Sequence, residues 1–222
     1  MNTQPMFSRA ETSALETNKV LRQTYMLLSM TLLFSAGMAG LSMAMNMPPM
    51  TYLVSVGIAF LLLWLVLPRT ANSGAGLAVV FAFTGLMGFG LGPILSMYLA
   101  IPNGGQVVMT ALGGTGVIFM ALSAYAMTTR RDFSFLGGFL FVGLIVVLVA
   151  AIANIFLAIP ALSLAISAIA VLIFSGLILF DTSRIINGGE TNYIMATVAL
   201  YLDIYNLFLH LLQLLGAFSG DD

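Results

Sequence analysis

Near the end of the chain, four polar side chains stand at helical spacing: Asp203, Asn206, His210 and Gln213 fall at i, i+3, i+7 and i+10. At 100° per residue they lie within about 80° of one another and form one stripe, ~15 Å long. Leu200, Leu202, Leu207, Leu209 and Leu211 fill much of the remaining surface of that segment. Upstream, Asp181 closes another apolar run, with Arg184 one turn further on. An ionised carboxylate in hydrocarbon costs ~3 kcal/mol on insertion scales, so such residues face a protein interior or a wet cavity. Two carboxylates sharing such a place do not both ionise easily, and they titrate as a unit. A shared proton holds them together at acid pH, whereas at higher pH they repel or recruit a cation. That is the chemistry of a pH-sensitive gate. The plainer alternative is a hydrogen-bonded pair that only fixes helix packing, with Arg184 as counter-charge to Asp181. His210 reads first as a hydrogen-bonded packing residue and second as a titrating relay.

The hydrocarbon follows from composition. Of 222 residues, 60% are apolar and 7% charged, and mean hydropathy is +1.08. A soluble domain carries roughly 25% charged residues to face water. Seven basic and eight acidic side chains cannot cover a water-facing surface of this size. Inside a bilayer every backbone group must be paired within the protein, so long continuous apolar runs are helices and not barrel strands. The expected class is an all-α membrane protein. Cysteine is absent, which removes disulfides and thiolate metal sites. Ser42-Met43-Ala44 has the small-x-small look of a cleavage site, but the preceding apolar run of about 20 residues is too long for a signal peptide.

Seven runs must position the stripe. Residues 1–24 form a short polar tail with mixed charge, helical after Thr12 or Ser13. Apolar runs then cover Tyr25–Met45, Tyr52–Leu67, Leu77–Leu99, Val107–Met127, Phe135–Leu157, Leu162–Phe180 with a polar extension to Asn187, and Ile194–Leu215. Residues 216–222 are a short tail, so the transmembrane domain is expected over 25–215. Pro48-Pro49, Pro68-Arg69, Pro102-Asn103-Gly104 and Gly188-Gly189 read as the stops. Each run crosses ~30 Å of hydrocarbon as a helix, and the short connections make neighbours antiparallel.

All seven Lys and Arg fall at one end: Arg9, Lys19 and Arg22 in the tail, then Arg69, Arg130, Arg131 and Arg184 in alternate loops. The positive-inside rule puts the N-terminus in the cytoplasm and, with seven spans, the C-terminus in the periplasm. Six spans with a re-entrant final segment would return the C-terminus to the cytoplasm. The polar stripe on the last run marks it as the helix the others surround.

Depth brings the two aspartates together. With the turn at Glu190, Asp181 lies nine residues before it and Asp203 thirteen after, a difference of ~6 Å. Their side chains lean toward each other along antiparallel helices. The glycines at 85, 88, 90 and 92 with Pro93, and at 113, 114 and 116, read as close helix-packing faces, with a kink at Pro93. No GxSxG, HExxH or nucleotide loop occurs. Two aspartates on adjacent helices resemble an intramembrane protease, but neither lies in a GxGD context. No enzyme activity, cofactor or nucleic-acid partner is expected; lipid is.

Phe180-Asp181-Thr182-Ser183, Gly188-Gly189-Glu190-Thr191-Asn192-Tyr193-Ile194 and Leu200-Tyr201-Leu202-Asp203-Ile204-Tyr205-Asn206-Leu207-Phe208 resemble the Bax inhibitor-1 (transmembrane Bax inhibitor motif) family. Residues 18–28, 83–95, 110–139 and 153–169 are similar to its bacterial YccA branch. The resemblance implies six helices enclosing a central seventh. It also implies a pH-sensitive calcium leak in which Asp181 and Asp203 match the sensor positions, with calcium as the transported ion and the two aspartates as its ligands. For the YccA branch it implies binding to the inner-membrane protease FtsH and modulation of its activity. Calcium-leak members carry charges within the second helix, and Tyr52–Leu67 has none.

Overall fold

The computed structural model describes residues 6–219, with side chains from Thr17 onward. Apolar runs pair their backbone groups internally and become helices. The helices are α1 (Met6–Ala44), α2 (Met50–Leu61), α3 (Leu67–Thr70), α4 (Ala75–Leu99), α5 (Gly104–Thr129), α6 (Gly137–Leu157), α7 (Pro160–Ile186) and α8 (Tyr193–Ser219). Left-handed Asn46, Asn103, Arg130, Ala158 and Gly188 sit in the breaks. Joined through the turn between them, α2 and α3 act as one rod, giving seven helices long and apolar enough to cross a membrane.

Three boundaries differ from the sequence reading. Pro68 does not stop the second span; the helix continues through it to Thr70. Its ring would collide with the carbonyl four residues back, and a π-helical widening over Leu62–Val66 relieves this, with Leu67 N–H bonded to Leu62 O. The expected tail helix and first span form one rod, α1, and α8 carries helix into the expected C-terminal tail, to Ser219. The unbroken 27 residues of α8 leave no hairpin for a re-entrant segment.

The last helix is central. It packs directly on α1, α4, α5 and α7, and Leu200, Tyr201, Leu207 and Leu212 on it are fully enclosed. α2 rests on α4, and α6 on α7; they approach α8 through side chains, Tyr52 near Asn206 and Leu140 near Leu207. Trp64 on the outside of the second rod and Phe156 on α6 are 77% and 84% exposed, as lipid-facing side chains should be.

Without a hydrophobic drive between helices in lipid, close approach holds the bundle together. A Cβ at Gly85, Gly88 or Gly92 would meet Phe34, the Ser35 carbonyl or Ser42, and one at Gly90 would press on Ser55. Thus three glycines at i, i+3 and i+7 seat α1, and the fourth seats α2. The α5 glycines do otherwise: Gly113 and Gly116 have nothing within 4 Å, and Gly114 only touches Leu211. They open outward, so the expected packing face on α5 is not there. Helix α4 runs through Pro93 without interruption.

Candidate functional site

The α7–α8 turn sets the site. Gly188, at φ +74, bends the chain so that the amides of Gly189 and Glu190 both donate to Arg184 O, at 2.8 and 3.2 Å. Asn192 then starts α8, its Oδ1 accepting from the amides of Ile194 and Met195 at 2.9 and 3.2 Å, as a helix N-cap does. Its amide nitrogen ties the turn to the α3–α4 loop through Ala71 O and Asn72 Oδ1. On the other side, Ser183 Oγ donates to Arg131 O and accepts from Phe133 N, both at 3.0 Å. The two neighbouring loops are thereby lashed to the helix ends that carry the aspartates.

One and three turns into the bundle from these ties, Asp181 and Asp203 are direct side-chain neighbours. Asp203 is 5% exposed, and its Oδ2 has no hydrogen-bond partner. Two ionised carboxylates are acceptors only, so a bond between them requires a shared proton. Whether Asp181 pairs with Asp203 or with Arg184 is left open by the sequence; Arg184 lies 3.4 Å from Asp181 Oδ1 and 3.6 Å from Glu190 Oε2, with its guanidinium over the Phe180 ring. Asp181 therefore touches both Asp203 and Arg184. Thr182, the next residue, contacts Tyr25 Oη and Ser123 Oγ at 3.4 and 3.5 Å, joining α1, α5 and α7 at this depth.

The rest of the stripe does different work. Asn206 turns back on its own helix and donates to Leu202 O at 2.8 Å. His210 stacks on Phe174, with Nδ1 3.2 Å from Ser167 Oγ. Gln213 accepts from Ser167 Oγ at 2.8 Å and donates to Ser163 Oγ. His210 and Gln213 thus pin α8 to α7, some distance from the acidic pair. Sequence reasoning missed their partners, although Ser163 and Ser167 stand at i and i+4 on α7, the spacing of one helix face. It also missed Glu190 as second partner of Arg184, and the fully buried Tyr201, whose hydroxyl is 2.6 Å from Ser35 Oγ and donates to Thr84 O.

Among the described residues, no three His, Cys, Asp or Glu side chains gather as a metal site. Two carboxylates are too few for a resident calcium, which takes six to eight oxygen ligands.

Seven apolar helices, with an acidic pair enclosed between the last two, define a polytopic α-helical membrane protein. The family described as "Inhibitor of apoptosis-promoting Bax1" matches residues 17–220. The chain belongs to this Bax inhibitor-1 family. It is 54% identical to the Escherichia coli K12 protein named "Modulator of FtsH protease YccA", over 96% of this chain and 97% of that one. It is 53% identical to an "Uncharacterized membrane protein" of Vibrio cholerae over the full length of both. A Pseudomonas aeruginosa protein is 50% identical over 93% of each chain.

Proposed function

We propose that this protein is a multi-pass inner-membrane regulator that binds the membrane protease FtsH and restrains its turnover of membrane substrates. The observation that carries this reading is the 54% identity, over 96% of the chain, to the relative named as a modulator of that protease. A relative of the same identity is named an inner membrane protein. Helix α1 adds a physical handle: its 39 residues make ~58 Å of helix, against ~30 Å of hydrocarbon. The surplus, at the end carrying the arginines, is available to a partner. The test is degradation of a membrane substrate by the purified protease in liposomes, with and without this chain. Slower turnover, relieved by deleting residues 1–20 and retained in Asp181→Asn and Asp203→Asn, supports the reading. An unchanged rate with the full-length chain sinks it.

The acidic pair favours a second reading, a pH-sensitive leak for calcium or another cation, gated where Asp181 and Asp203 meet. Sharing a proton, the pair draws α7 and α8 together; ionised, it opens them or takes up a cation. The N-terminus lies in the cytoplasm and the C-terminus in the periplasm in both readings. Calcium flux from liposomes should depend on pH in the native chain and lose that dependence in either Asn variant. Flux indifferent to both substitutions removes this reading and leaves the first intact.

A further inference from the structure

The α5–α6 turn carries two arginines whose charges the protein itself leaves unpaired. Arg130, left-handed at φ 49, and Arg131 are both exposed. Neither guanidinium has an ion pair or a hydrogen bond among the described residues, where both ion pairs belong to Arg184. Asp132 is the acid beside them, but its carboxylate accepts from the amide and hydroxyl of Ser134 instead. The backbone beneath them is fixed. Arg131 O accepts from the Ser183 hydroxyl at 3.0 Å and from the Asn187 side-chain amide at 3.4 Å. Two adjacent positive charges are thus held at a set place on the rim of the bundle, with all their donors free.

Below these charges the bundle has a gap. Helices α5 and α6 follow one another in the chain yet do not pack on each other; each packs on α7. Two helices seated on a third without meeting leave a furrow between them, with the third as its floor. Ile118 and Leu122 on α5 are half-buried against the cluster that α6 and α7 share. Tyr125, one turn further on, lies 6.0 Å ring to ring from Phe133, the residue that leads into α6. Its hydroxyl, ~7.5 Å along the axis from Arg130, has no partner among the described residues. Apolar walls under two free guanidiniums match one kind of molecule, because arginine pairs bidentately with phosphate and the walls accept hydrocarbon. We propose that the furrow between α5 and α6 binds one anionic phospholipid, its phosphate on Arg130 and Arg131 and an acyl chain over Ile118 and Leu122. Free phosphate or an acidic peptide would satisfy the arginines and leave the furrow unfilled.

Native mass spectrometry of the full-length protein in detergent tests this, with titration of phosphatidylglycerol against phosphatidylcholine of the same acyl chains. Phosphatidylglycerol should bind at least roughly tenfold more tightly, and Arg130→Gln combined with Arg131→Gln should remove that preference. Arg69→Gln should keep it: that arginine stands at the same end of the bundle, but its guanidinium already donates to Leu65 O. Ala121→Phe, at an exposed position on α5 between Ile118 and Tyr125, fills the furrow and spares the charges. It should weaken phosphatidylglycerol binding several-fold, and inorganic phosphate should not displace the lipid. The two arginine side chains make no internal bond, so the double variant keeps its fold and decides even where Ala121→Phe does not fold. Equal affinity for the two lipids, or a preference that survives the double substitution, overturns the site. Displacement by inorganic phosphate, or unchanged binding in a folded Ala121→Phe, shows an anion site without a seat for the chain and overturns it as well.

Discussion

Asp203 sits where a charge is hardest to keep: it is enclosed, lacks a full set of donors, and faces a second carboxyl group. Replacing it with asparagine keeps the shape and supplies a donor toward Asp181. Thermal unfolding in detergent should show Asp203→Asn unchanged or stabilised by about 1 kcal/mol, since removing a buried charge is often neutral or favourable. A loss of several kcal/mol would mean that the acid itself holds the bundle. Tyr201→Phe removes the buried hydroxyl that serves Ser35 and Thr84 and should cost about 1–3 kcal/mol by the same measurement. Asp132, in the α5–α6 turn, accepts from the amide and hydroxyl of Ser134, and these bonds hold its pKa below the ordinary 3.8. A depressed carboxylate adds local stability above its ordinary value and loses it as pH falls through the folded one. The Ser134 amide resonance should therefore shift with a midpoint below 3.8; a midpoint at or above that value would show that the Asp132–Ser134 hydrogen bonds are not formed.

At the scale of elements, glycines that look alike in the sequence act differently once helices pack. A Cβ on Gly88 would collide with the Ser35 carbonyl, whereas one on Gly113 meets nothing within 4 Å. Gly88→Ala must push α1 from α4 and should destabilise by about 1–3 kcal/mol or more. Gly113→Ala gains helix propensity and should be neutral or stabilising by up to about 1 kcal/mol. Equal unfolding temperatures for the two variants would contradict the seating of α1 on α4. Both clusters suggest close approach because glycine spacing encodes a possible face; the sequence holds no statement of which face another helix will occupy. Pro68 teaches the same lesson about ends. A proline predicts a lost hydrogen bond, but a π-helical turn absorbed the loss and the rod ran on to Thr70.

For the whole molecule, the Lys and Arg pattern makes a prediction about sidedness. A reporter active only in the periplasm should work when fused after Asp222 and stay silent when fused before Met1; the reverse would invert the topology. Seven helical spans, a charged end and an acid on each of the last two helices were legible from the residues alone. Hydropathy and the need to pair every backbone group in lipid act within each segment, so no partner has to be known. Azimuth and depth are decided between segments, by packing. Only the assembled bundle put Asp181 against both Asp203 and Arg184, wrapped Glu190 back onto that arginine, and split the polar stripe into an acidic pair and a His210–Gln213 clasp on Ser163 and Ser167.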